Sequence, residues 1–235
     1  MRSIDRRSLV KAGTAAPFLC PVISIFAQTA NMDKEKLPFR SINLANEGKV
    51  VAIFFDFTCP FSAKYHPTLI RWMSTVPKTV RVVQFPVVNI RDKEALKEQV
   101  TSAKCFYAAA SLCSSAQLQI FVSSLYETRQ QFINSIGALP IPGQMDQQVS
   151  PLSLPSTWIN AAKAAAINQT IFHRLVTSNT TTEQARLAAR KLIDYRIIET
   201  PSIGIGGRYV MSPDSANGDQ EMFFNLLNGL VSEIV

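Results

Sequence analysis

Residues 50–62 read VVAIFFDFTCPFS, and no other stretch constrains the chain as much. Residues 50–57 form a nearly continuous apolar run rich in β-branched and aromatic types. That composition suits a strand buried on both faces, as in a sheet covered by helices. A helix is expected immediately afterwards. Pro60 fits its first position, where a missing N–H costs nothing. Phe61, Tyr65, Leu69 and Trp72 then recur near helical spacing, Pro67 predicts a kink and Pro77 a stop. Cys59 is thereby placed at a strand-to-helix junction.

The remainder of the chain follows from the same periodicities. Residues 79–88, TVRVVQFPVV, are a second strong strand, and residues 39–44 a weak one. Strand, helix, strand with short links makes a right-handed βαβ unit with parallel strands. From Asp92 the pattern turns helical for about a hundred residues, far longer than any loop. Helices are predicted near 92–113, 118–134, 156–167, 169–177 and 181–195, with Asp92, Ser156 and Thr180 as N-caps. Thr180 and Glu183 have capping-box spacing. The Pro-rich stretch 138–155 is irregular. SIGIGGRYVM, residues 202–211, is two short strands around Gly206-Gly207, and residues 220–235 are an amphipathic closing helix.

Composition narrows the function. The 235 residues are 47% hydrophobic and 17% charged, enough for one well-filled core. Residues 1–30 hold four basic side chains and one acid, so only +4 of the +7 net charge belongs to the rest. No basic cluster falls on one predicted face, which argues against nucleic-acid binding. Those first thirty residues have a basic start, a modestly apolar stretch and small residues near Ala27 and Ala30, the layout of an export signal. Paired Arg6 and Arg7 followed by Leu9-Val10 and Lys11 resemble a twin-arginine signal, which implies a periplasmic or otherwise exported bacterial protein. The apolar stretch 12–27 is interrupted by Pro17 and Pro21 and is short for a bilayer span, so an uncleaved anchor is the weaker reading, and no span is expected in the mature chain. Bulky Leu19 before Cys20 argues against a lipoprotein site.

Cys59, Cys105 and Cys113 then remain, an odd count that implies a free thiol or pairing between chains. Cys105 and Cys113 lie eight residues apart in one predicted helix, about 12 Å of rise, beyond a disulfide's Cα reach of about 7 Å. They pair only if the helix breaks between them; otherwise they are small buried apolar residues. His66 is two helical turns past Cys59, too far to be its base directly, and reads with His173 as a surface or packing residue. Three scattered cysteines and two distant histidines give no metal site.

The order βαβ, helical insert, ββα is a thioredoxin-like α/β architecture. It resembles the DsbA-type thiol–disulfide oxidoreductases over essentially the whole mature chain, residues 31–235, with the insert at about 92–195. FFDFTCPFS matches that family's strand followed by Cys-Pro-x-Cys, and ETPSIGIGGRYVMSP, residues 199–213, looks like its cis-proline loop and hairpin. The resemblance implies a cis Thr200-Pro201 bond beside the reactive sulfur, leaving the Thr200 backbone to bind an extended substrate peptide. At a helix start, Cys59 meets the free N–H groups and the positive end of the helix dipole, which favour thiolate, the attacking species in disulfide exchange. Asp56 reads either as a proton relay and opposing charge or as a solvent-facing strand end.

Ser62 stands where the family has its second cysteine. It can donate a hydrogen bond to a thiolate but cannot displace a mixed disulfide, so dithiol oxidase chemistry is not expected. Three outcomes follow: disulfide isomerisation or exchange with a small thiol such as glutathione, long-lived mixed disulfides with exported protein substrates, or a redox-inactive peptide-binding or chaperone module. An alternative is a kappa-type glutathione-transferase-like enzyme, whose fold carries a similar insert. That group uses serine at the first motif position and is largely intracellular.

Overall fold

The alternation of side chains along residues 50–55 sets the layers. The computed structural model describes residues 37–45, 47–135 and 150–235. The described strands are β1 (Arg40–Ser41), β2 (Val50–Phe55), β3 (Arg81–Pro86), β4 (Ser202–Ile205) and β5 (Tyr209–Met211). They form one sheet in the order β1-β5-β4-β2-β3. Every residue of β2 is buried, as its apolar run requires. It pairs parallel with β3, Val51 opposite Val82, and antiparallel with β4, Val51 opposite Ile205. The turn from β4 to β5 uses Gly206 and Gly207 at φ of 59° and 63°, the left-handed region that glycine enters without a Cβ penalty.

Seven helices are described: α1 (Pro60–Met73), α2 (Leu96–Ala110), α3 (Ser115–Ser135), α4 (Pro155–Ala164), α5 (Gln169–Val176), α6 (Asn179–Asp194) and α7 (Gln220–Ser232). On one face Val51 and Ile53 pack with Tyr65, Leu69 and Trp72 of α1 and Phe223 and Leu227 of α7. On the other, Val50, Ala52 and Phe54 pack with Ala185, Ala188 and Leu192 of α6 and with Tyr195. The insert has its own aromatic core, Phe106, Phe121, Trp158 and Phe172, and Phe55 and Phe57 reach into it from the end of β2. Phe57 stands 5.5 Å from the Trp158 ring and 5.7 Å from the Tyr126 ring, centroid to centroid. The residue two before Cys59 is therefore anchored in the insert.

Several boundaries differ from the sequence reading. Asp92 does not start a helix. Its carboxylate accepts the Ala95 N–H at 3.0 Å, and α2 begins at Leu96. Ser156 is not an N-cap because Pro155, which needs no N–H partner, takes the first position behind Leu154. Thr180 is displaced by Ser178, whose hydroxyl accepts the Thr181 N–H at 3.3 Å, and Glu183 pairs with Arg186 instead of closing a capping box. The strand expected at residues 39–44 is regular only at Arg40–Ser41, although the Ile42 and Leu44 N–H groups still donate to the hairpin at 2.7 and 2.9 Å. Cys113 lies past the end of α2, so the two cysteines do not share a helix; both are free thiols. Pro67 sits within α1, which continues to Met73. Residues 1–30 and 138–149, which carry the export-signal reading and most of the Pro-rich break, lie outside the described residues.

Candidate active site

The site grows from the turn that ends β2. Asp56 Oδ1 accepts the Thr58 N–H at 2.6 Å and the Thr58 hydroxyl at 2.7 Å, and the Cys59 N–H donates to the Asp56 carbonyl at 3.1 Å. This Asx turn reverses the chain and delivers Cys59 to the N-cap of α1 in an extended conformation (φ −83°, ψ 121°). Pro60 follows at the first helical position, and no acid in the first turn offsets the positive end of the helix. Asp56 is half-buried and occupied as this turn's acceptor, neither a bare solvent-facing end nor in hydrogen-bond contact with the sulfur.

Cys59 is half-buried, and its sulfur is bonded across the sheet. The thiol donates to the Thr200 carbonyl at 3.1 Å, across 141 residues of sequence. The Thr200-Pro201 peptide is cis, and Pro201 is buried. The loop is tied down from behind. The Ser202 hydroxyl donates to the Glu199 carbonyl at 2.7 Å, and the Ser212 hydroxyl donates to the Glu199 carboxylate. Arg40 donates to the carbonyls of Tyr195 at 3.1 Å and Arg196 at 2.7 Å, holding the segment that leads into the loop. Pro60 and Phe61 form an exposed apolar rim beside the thiol, Phe61 with 57% of its surface open.

Ser62 lies in the first turn of α1. It is 1% exposed, and its oxygen accepts the Asp56 N–H at 3.2 Å. That bond braces the turn and does not reach the sulfur. Beneath it lies a group that the sequence did not nominate. Tyr126 of α3 is buried beside Asp56, Cys59 and Ser62, and burial first, then the charges of Asp56 and Cys59, hold its hydroxyl in the neutral form by raising its pKa. His66 stacks near it, ring centroids 5.3 Å apart. Burial lowers the His66 pKa to about 4, so the ring is neutral at ordinary pH. No signal in the sequence ties Tyr126 to this region, because its ring meets those of Phe57 and His66 only when α3 packs over α1.

The structure thus brings together Cys59, Pro60, Phe61, Ser62, Asp56, Thr200 and Pro201. It leaves the other thiols out. Cys105 lies in the insert core, where burial pushes its pKa up to about 12, and half-buried Cys113 is raised in the same direction. Among the described residues, no group of three His, Cys, Asp or Glu side chains is placed to hold a metal, and no helix is long and apolar enough to cross a membrane.

No protein-family model matches the sequence, and no curated relative does. Solved structures do match. DsbA from Pseudomonas aeruginosa superimposes with a TM-score of 0.62 at 16% identity, covering 83% of this chain and 91% of that one. The oxidoreductase DsbA from Xylella fastidiosa gives 0.59 at 20% identity, over 83% and 94%. Reduced DsbA1 from Neisseria meningitidis gives 0.59 at 18%, over 83% and 89%. The chain has the thioredoxin-like fold with helical insert found in these DsbA structures.

Proposed function

We propose that this protein carries out thiol–disulfide exchange through a single nucleophilic cysteine, Cys59. The observation that carries the reading is the half-buried Cys59 at the N-cap of α1, its sulfur 3.1 Å from the Thr200 carbonyl. The ionised sulfur attacks one sulfur of a substrate disulfide. A Cys59–substrate disulfide forms, the substrate S–S bond breaks, and the departing sulfur leaves as thiolate. Thr200 offers its backbone to an extended peptide alongside, as an added strand would bind. Ser62 holds oxygen where a second thiol would resolve this intermediate. Release therefore needs another thiol. A second cysteine of the substrate gives isomerisation, its thiolate taking the substrate sulfur while Cys59 returns as thiolate; a small thiol such as glutathione gives net reduction in two attacks, the first on the Cys59 sulfur to release the substrate as thiolate, the second on the resulting Cys59–glutathione disulfide to release oxidised glutathione and the Cys59 thiolate. This makes the protein an isomerase-like, reductase-like or mixed-disulfide-forming one and not a dithiol oxidase. Its substrates are exported proteins that contain cysteines. The basic, twin-arginine-like start of the sequence supports export to the periplasm.

Trapping tests the reading. The exported protein is quenched in acid, alkylated and run on a non-reducing gel. Adducts with other proteins are expected in the variant lacking Cys105 and Cys113 and are expected to vanish in Cys59→Ser. Absence of adducts in the former, with no catalysis of insulin reduction, rejects exchange and leaves a peptide-binding module.

A further inference from the structure

Farther along α1 than Cys59, two helical stripes face each other across a gap. His66, Ile70 and Met73 follow one another at steps of four and three on α1, and Ser115, Leu118 and Val122 at steps of three and four on α3, so each trio lies on one side of its helix. Between them, with Gln84 of β3 as a third wall, lies a cavity of about 200 Å³. Exposed Ser74 and Ser115 mark the side that opens to solvent, and Val122 is buried. The cavity adjoins a recess of about 10 Å³ bordered by Ser62 and Tyr126, roughly the space of one water, so room for anything larger lies on the wide side. Water against the apolar walls makes few bonds, and an apolar guest that displaces such water gains affinity.

One polar group on these walls is unsatisfied. His66 Nε2 is buried and has no hydrogen-bond partner among the described residues. Stacking on Tyr126, 5.3 Å between ring centroids, fixes where the imidazole lies. Burial lowers its pKa to about 4, so none of the nine described residues that line the cavity carries a charge at neutral pH. An ionised guest would lose its hydration there and meet no counter-charge, which is costly. An apolar cavity of about 150 Å³ takes up a benzene ring, so this one has room for such a ring with a small substituent.

We propose that this cavity is a binding site for a small uncharged ring compound, a single six-membered ring bearing a hydroxyl or amide group, with the ring between Ile70, Met73, Leu118 and Val122 and the polar group hydrogen-bonded to His66 Nε2. A hydroxyl both donates and accepts, so it pairs with that nitrogen in either tautomer. The site goes beyond the exchange reading and does not depend on it, since Cys59, Thr200 and Pro201 take no part in its walls.

Phenol is the probe. Calorimetric titration of the full protein is expected to show saturable binding, and a crystal soaked in phenol to show the ring in the cavity with its oxygen on His66. Benzoate, the same ring with a charge, is expected to bind at least about tenfold more weakly. In His66→Leu the affinity for phenol should fall about fivefold to tenfold, while that for toluene, which has no polar group, stays within about twofold of wild type. The proposal is overturned by the absence of saturable binding in solution, by phenol seen in the crystal alone (an adventitious additive only), by benzoate binding as tightly as phenol, or by a folded His66→Leu protein that keeps the wild-type affinity. If that variant does not fold, the comparison of phenol with benzoate on the wild-type protein decides. Failure of the exchange reading looks different, since trapped adducts are then missing while phenol still binds.

Discussion

Ser62 separates this site from a dithiol one more firmly than the change of one atom suggests. Its hydroxyl is buried and its oxygen accepts the Asp56 N–H, so the residue braces the turn that presents Cys59. Ser62→Cys therefore has two opposed effects. A thiol is a weak acceptor, so the brace at Asp56 weakens, and the variant is expected to lose about 1 kcal/mol of stability in urea titration. It also gains a resolving sulfur, so trapped adducts should shorten in lifetime. A disulfide between Cys59 and the introduced thiol should accumulate under oxidation, read by mass spectrometry of the alkylated protein. Persistence of wild-type adducts in this variant counts against the resolution argument.

Elements locate the site by stacking against each other, and Gly204 of β4 is where that packing is tightest. A Cβ built there would overlap the ring of Tyr195, the fully buried residue that ends α6. The ring also lies 5.2 Å from Phe54 of β2, so it joins the helix to the middle of the sheet. Gly204→Ala is expected to cost about 2–3 kcal/mol, as overpacked cores do, and to lower the thermal midpoint. An unchanged midpoint refutes the tight fit. The helix termini teach a related lesson about legibility. Ser156 and Thr180 are good capping residues, yet Pro155 and Ser178 take the decisive positions. Neighbouring candidates with similar local energies are separated only by how the helix must lie to bury its apolar face.

For the molecule as a whole, His66 couples acid to unfolding. Its pKa is about 4 in the folded chain and about 6.5 when unfolded. Above pH 6.5 both states are neutral there and the stability is fully present. Between these values the unfolded chain takes up a proton that the folded one refuses. Stability falls over that window, by up to about 3 kcal/mol near pH 4. His66→Gln should flatten this part of the curve relative to wild type, as read by denaturant midpoints at pH 7, 5.5 and 4.5; parallel curves reject the assignment. From the sequence alone His66 reads as a surface or packing residue, and its stacking on Tyr126 emerges only once α3 lies over α1.

The apolar run at residues 50–57, the proline after Cys59, the paired glycines at 206–207 and the helical length between the two half-sheets were legible because each is a local preference repeated over neighbouring positions. Order of elements and place of the thiol follow from such preferences. The thiol's neighbours do not. Thr200 meets the sulfur across 141 residues, and Tyr126, Gln84 and Ser62 converge from different elements on one recess. Those distances are set by side chains filling a shared core, a condition that holds for the folded assembly and leaves no periodic trace along the chain.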